Sequence, residues 1–330
     1  MRANCIVFSE PGSVGHGEID VPEPGPGQLV TRTLFSGVST GTESRVLSGK
    51  QEGSVFPLIP GYENVGEIVA AGPRTMLQVG TRVFVAAHRY DSLGKAITWG
   101  AHVSHSITDE GSVNPIPDGV APELAVYGKV SAISLHGVKR GRLMPNEWVV
   151  VLGLGLIGHL VVQHAVARGG RVIAIDVDAG RSEAAKRAGA EIVLDGTRRD
   201  VVDEVKRITG GGANVAFDAT GRSDTLDVSA SMLKPRAWHS DIGGVSRLVI
   251  QGSIVGSVCL DYTSSLFMPE IDVITARDND RVDIAESLIM MATGAIDPGA
   301  IEATEYAASD AENAYRHLLE KKPMRIFFRW

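Results

Sequence analysis

Between Glu147 and Asp178 the chain runs apolar, then glycine-punctuated, then apolar at helical spacing, then apolar again. Trp148 to Leu152 is a continuous, valine-rich apolar run bounded by a turn, the pattern of a strand buried on both faces of a parallel sheet. Val161, Val162, Ala165 and Val166 then mark one face of a helix that Gly169 and Gly170 end. A second apolar run, 171–175, closes on Asp176. Strand patterns recur at 192–194, 215–218, 247–251 and 271–275, with helical patterns between them, among them 182–187 and 201–208. Six strands alternating with helices predict an α/β fold, a doubly wound parallel sheet of the Rossmann type over residues 122–277.

The N-terminal part is patterned differently. Short runs at 3–8, 28–36, 65–70 and 78–85 are separated by Gly- and Pro-rich turns, which predicts a compact antiparallel β-barrel. The tail reads as a long helix over 282–293, an amphipathic helix over 311–319 and a strand over 324–328. It is expected to return to the first domain, which then comprises residues 1–121 and 278–330.

Composition narrows the classes. The apolar fraction of 44% and charged fraction of 22% suit a soluble globular chain of two domains. A net charge of −7 without a Lys/Arg cluster argues against a nucleic-acid partner. No apolar stretch is long enough for a membrane span and the N-terminus lacks a signal-peptide pattern, so a cytoplasmic location is expected. Cys5 and Cys259, far apart, make no disulfide framework and no structural zinc cluster.

Gly153, Gly155 and Gly158 stand at G-x-G-x-x-G spacing between the first strand and the helix. Spacing of this kind permits a tight turn, close approach of a pyrophosphate, and close packing of helix on strand. Leu156 and Ile157 open the helix, whose free N–H groups and positive end suit phosphates. Asp176, eighteen residues past Gly158, is placed to accept from a ribose diol and to repel a 2′-phosphate. NAD is therefore favoured over NADP, with Arg181 nearby as the feature that keeps NADP open. Thr220 and Gly221, after the strand ending at Asp218, are further cofactor contacts by position.

SGVSTGTE (36–43), PGYENVGEIVAAG (60–72), QVGTRVFV (78–85), GLGLIG (153–158) and AENAYRHLLEKKPMRIFF (311–328) together resemble the medium-chain dehydrogenase/reductase superfamily, the zinc alcohol dehydrogenase relatives. The first two segments are most similar to the bacteriochlorophyllide a dehydrogenase subgroup. The resemblance implies a GroES-like catalytic barrel beside the Rossmann domain, and a nicotinamide-dependent oxidoreductase acting on CH–OH. It also exposes departures. At positions where zinc members carry metal ligands this chain has Ser39, Tyr62 and, near the third, Lys129, with only Glu63 retained. Neutral hydroxyls and an ammonium make a poor zinc site, so a zinc-independent branch is expected.

Without a metal, a Brønsted acid/base must handle the alcohol proton. Tyr62 and Lys129 are the expected pair, Lys129 lowering the phenol's pKa, with Glu63 beside them. The other reading is a packed Tyr62 and a Lys129 paired structurally with Glu63 or Glu43. Ser39, Thr40 and Thr42 are expected to bond their own loop and reach the cofactor. Glu43, Trp99, His136 and Arg277 are candidate substrate contacts, with a core histidine as the blander reading of His136. His88, His102 and His105 read as surface or substrate-rim residues, and Trp238 and His239 as part of an insertion over 235–244. The hydroxyl-rich 36–49 segment favours a polyol, cyclitol or sugar-like secondary alcohol. Alternatives are a hydroxyethyl bacteriochlorophyllide-type substrate, metal-free enoyl or quinone reduction, and a dinucleotide-binding sensor without turnover. A homodimer, paired along the 271–275 edge, is the expected assembly.

Overall fold

The computed structural model describes residues 1–86, 100–239 and 244–330; Trp99 and His88 lie outside them. The chain divides into two compact units, Met1–Lys129 with Glu302–Trp330, and Val130–Ile301. The boundaries differ from those read off the sequence: residues 278–301 belong to the second unit. The reason is local. Lys139 donates to Asp283 at 2.7 Å, and Gln163 and Asp297 exchange bonds of 3.0 and 2.9 Å, tying the helix Asp283–Ala292 and its successor to that unit.

Among the described residues the second unit is built on a six-stranded parallel sheet. From edge to edge it runs Ile192–Asp195, Arg171–Asp176, Trp148–Leu152, Val215–Asp218, Arg247–Ile250 and Asp272–Thr275. The order reverses beside Trp148–Leu152, where the chain crosses from one half of the sheet to the other, the place such sheets bind ligands. One sheet face buries Val149, Val151, Val161, Val162, Val172 and Phe217, and the other Val150, Ile173, Ile175, Val205, Ala216 and Leu248. Apolar residues on both faces are what a doubly covered parallel strand requires.

The first unit carries a seven-stranded sheet among the described residues, with Gln28–Val38 at its centre. This long strand pairs antiparallel with Glu63–Ala71, His105–Asp109 and Ile326–Arg329. Ile326–Arg329 brings the C-terminus beside residues 35–38, so only the last part of the tail, Glu302–Trp330, joins the first unit. Two details correct the sequence reading. Gly15–Asp20, outside the runs read as strands, is a strand against Arg2–Val7. Of the run 78–85 only Arg82–Val85 is strand, because Gly80 turns the chain at φ +90°. Among the described residues, no helix is long and apolar enough to cross a membrane.

Candidate active site

The second unit contains a backbone-built cradle. Gly153 follows the strand Trp148–Leu152 at φ +89°, and a Cβ there would stand 2.9 Å from the Thr220 backbone. At Gly158 a Cβ would stand 1.9 Å from the Gly153 carbonyl oxygen, so only glycine lets the helix Leu156–Ala167 start so close to the strand. Gly155, the helix N-cap, faces open space. The first-turn N–H groups of Leu156, Ile157 and Gly158 therefore surround room for a phosphate. Asp176 ends the next strand, its carboxylate accepting from the Leu154 N–H at 2.6 Å and the Asp178 N–H at 2.9 Å. Both bonds fix the carboxylate beside the glycine turn. Arg181 is N-capped by Asp178 at 3.0 Å, in the first turn of the helix Ala179–Arg187.

Thr220 and Gly221 border the same turn. Asp218, buried, accepts from the Thr220 hydroxyl at 2.7 Å, and from Thr225 and Ser229 at 2.8 Å each. These bonds shape the 218–221 loop. His159, next after the glycine motif, is buried, and burial holds its imidazole below the usual range.

The first unit contains a side-chain cluster of another kind. Ser39 caps the helix Thr40–Leu47 but its hydroxyl makes no capping bond. The Tyr62 hydroxyl instead donates to Ser39 Oγ at 2.5 Å, and Thr42 hydrogen-bonds the same phenol. A meeting of Ser39, Thr42 and Tyr62 is present, where Ser39 and Thr42 were expected to bond their own loop. Thr40 lies at the first helical position, half-buried.

The expected tuning of Tyr62 is not. Burial, then the neighbouring Glu63 carboxylate, push the phenol well above its usual range, and Glu43 adds to this while the Ser39 and Thr42 bonds oppose it. The phenol is thus driven away from ionisation, the reverse of the lowering assigned to Lys129. Lys129 itself sits half-buried in the first turn of the helix Gly128–Arg140.

Glu63 is fully buried and paired with the equally buried Arg325. Burial raises its pKa while the guanidinium opposes. Its Oε1 has no partner among the described residues. Arg325 also donates to the carbonyls of Val38 and Val126, 3.1 Å each, and lies 4.9 Å from the centre of the Tyr127 ring.

Two other expectations are corrected. Glu43, proposed to face substrate, is fully buried, accepting from the Ser39 N–H at 2.7 Å, from His102 and from Tyr315. His102, read as a surface or rim residue, is fully buried, bonded to Glu43 at 3.1 Å and to Ser36 at 2.8 Å. His105 stays half-buried on its strand. His136 belongs to the second unit, where Nδ1 lies 3.2 Å from Asp283 and 3.6 Å from Asp280, in an ion-pair cluster with Lys139. Arg277 is exposed just past the last strand of that sheet, and Trp238 is exposed as well.

These residues do not fit a catalytic zinc. Ser39 and Tyr62 supply neutral hydroxyls already bonded to each other, and the Glu63 carboxylate is engaged by Arg325. Neither thiolate nor imidazole stands at those positions, and zinc takes thiolate, imidazole and carboxylate ligands.

Comparison with known proteins gives the family. Residues 25–118 match the alcohol dehydrogenase GroES-like domain, and 157–265 the zinc-binding dehydrogenase model. An alcohol dehydrogenase of Moraxella sp. (strain TAE123) is 30% identical over 84% of this chain and 85% of its own. The 2-desacetyl-2-hydroxyethyl bacteriochlorophyllide A dehydrogenase of Rhodobacter capsulatus is 26% identical over 97% of this chain and 95% of its own. The crystal structure of 2R,3R-butanediol dehydrogenase from Bacillus subtilis has the same fold, with a TM-score of 0.86 at 21% identity and 99% of each chain covered. Other solved structures of this fold hold NADH or NADP. The chain belongs to the medium-chain alcohol dehydrogenase superfamily and is a nicotinamide-dependent oxidoreductase acting on CH–OH groups.

Proposed function

We propose that this enzyme interconverts a small, polar secondary alcohol and its ketone with NAD(H), using hydroxyl side chains instead of a metal at the reacting oxygen. The observation that carries the proposal is the 2.5 Å bond from Tyr62 to Ser39, two hydroxyls standing where relatives are expected to hold metal ligands. The dinucleotide, held by the glycine turn and Asp176, supplies or accepts the hydride. Ser39 accepts a hydrogen bond from the phenol and so keeps its own hydroxyl hydrogen available for a substrate oxygen. Tyr62 stands behind it, protonated because burial and Glu63 disfavour the phenolate. The site rests in its protonated form, so it offers a hydrogen bond to a carbonyl oxygen rather than a base to an alcohol. Lys129, at the head of its helix, contributes positive charge toward the developing alkoxide.

NADH is the expected form because Asp176 offers a carboxylate, not a cation, to the adenosine ribose. A polyol, cyclitol or sugar-like substrate suits the hydroxyl-rich 36–49 segment, and the butanediol dehydrogenase of the same fold acts on a vicinal diol. Self-association is expected along the strand Asp272–Thr275, which has a single strand neighbour among the described residues and lies at the sheet's edge. Exposed Trp238, Tyr262, Phe267 and Met268 are the apolar groups a second copy would cover.

The test is turnover of 3-hydroxybutan-2-one, cyclic ketones and ketoses with NADH and NADPH. Reduction with NADH at least tenfold more efficient than with NADPH supports the reading. Tight NADH binding with no turnover of any ketone or polyol would instead favour a dinucleotide-binding sensor.

A further inference from the structure

We infer that Glu43, held by His102 and Tyr315, is the positioning residue of the Ser39–Tyr62 pair; this rests on the proposed hydroxyl chemistry. The argument begins at the helix cap. An N-cap serine ordinarily uses its hydroxyl to satisfy a first-turn N–H. Here the hydroxyl makes no such bond, and Glu43 reaches back to the Ser39 N–H at 2.7 Å. The carboxylate thus fixes the serine through its backbone and leaves the side chain to accept from Tyr62.

Glu43 cannot hold that position unaided, because a buried carboxylate needs its remaining lone pairs satisfied. Its Oε2 receives the Tyr315 hydroxyl and lies 3.1 Å from His102 Nε2. His102 is in turn fixed by Ser36 Oγ at 2.8 Å, which also accepts the Trp330 indole N–H at 2.8 Å. Gly61, φ +85° and next to Tyr62, leaves space for the imidazole: a Cβ there would stand 2.6 Å from Nε2. The imidazole therefore touches both the segment that carries Tyr62 and the carboxylate that fixes Ser39. The path from Glu43 to Ser39 runs through a backbone N–H, so the network positions the hydroxyls and carries no proton to them.

Glu43 also faces the phenol electrostatically, together with Glu63, the next residue in the chain, and Arg325. Removing its charge lowers the phenol's pKa, while burial, the larger cause, keeps the hydroxyl protonated.

The experiment uses Tyr315→Phe, which keeps the ring packed edge-on against Phe8 at 4.9 Å, and Glu43→Gln, His102→Gln and His102→Leu. Two readouts are taken: hydrogen exchange of the Ser39 amide, and NADH-dependent reduction of 3-hydroxybutan-2-one resolved into kcat and KM across pH. Expected are exchange faster by about tenfold or more in Tyr315→Phe, the loss of one bond to a charged group, and a similar fall in kcat at unchanged KM. His102→Gln should retain more activity than His102→Leu. Unchanged Ser39 exchange in folded Tyr315→Phe and Glu43→Gln overturns the inference even without a substrate. If Tyr62→Phe loses turnover while Tyr315→Phe keeps it, only this inference falls. If Tyr62→Phe itself keeps full turnover, the hydroxyl chemistry falls and the positioning role goes with it.

Discussion

The glycine cradle and the hydroxyl cluster solve the same problem, holding polar groups in a defined geometry, by opposite means. The cradle is made of backbone: three glycines within six residues, a helix N-terminus and one carboxylate a strand away. The cluster is made of side chains from Ser36, Ser39, Glu43, Tyr62, Glu63, His102, Tyr315 and Arg325, which only the barrel brings together. A backbone site tolerates variation around it as long as the glycines remain. A buried polar cluster fails at whichever member is removed, because each loss leaves a partner unsatisfied in a low-dielectric setting. The two regions should therefore respond differently to substitution.

The largest difference is expected at Tyr62. Tyr62→Phe removes the hydroxyl behind Ser39 and should lower kcat by about 10²–10⁴-fold, the usual range for a lost acid/base group, with NADH affinity within twofold of wild type. Steady-state kinetics with fluorescence titration of NADH reads both. Next comes Arg325→Met, which strands the buried Glu63 carboxylate. Breaking a buried pair from one side costs about 3–5 kcal/mol, so denaturant unfolding should show a loss of that size.

The cradle should respond more mildly and in affinity alone. Asp176→Asn keeps the shape and removes the charge, and should weaken NADH binding by about tenfold while narrowing the preference over NADPH. An unchanged NADH/NADPH ratio would show that Asp176 does not set cofactor choice. The last expected difference is a pH slope. His164, buried between its helix and Ser131, is pushed down to about 3 by burial. Its stability contribution is complete above the unfolded value near 6.5 and declines as pH falls, because the unfolded chain takes up a proton that the folded one refuses. The decline is about 1.4 kcal/mol per pH unit at most. His164→Leu should flatten the stability–pH curve between 6.5 and 4 by one proton's slope, measured by unfolding at several pH values.

The same contrast explains what the sequence revealed. Gly153 and Gly158 were legible because a turn at φ +89° and a Cβ that would stand 1.9 Å from the Gly153 carbonyl oxygen admit only glycine. The strand Val215–Asp218 is found where its apolar run predicts it. The pairing of Glu63 with Arg325, 262 residues apart, has no local signature. His102 looked like a rim residue because a single histidine between Ala101 and Val103 carries no periodicity, and its burial follows from Ser36 and Glu43 on distant segments. Ser39 and Tyr62 were singled out by family resemblance, and the structure joins them. The direction of the phenol's shift follows first from its burial, which spacing alone does not supply, and then from the carboxylates around it.

The most direct test of the account is the metal content of fully active, purified enzyme, determined by inductively coupled plasma mass spectrometry alongside turnover before and after chelation. Substoichiometric zinc, with NADH-dependent ketone reduction unaltered by chelator, is the predicted result. One zinc per chain whose removal abolishes turnover and whose return restores it would contradict the account.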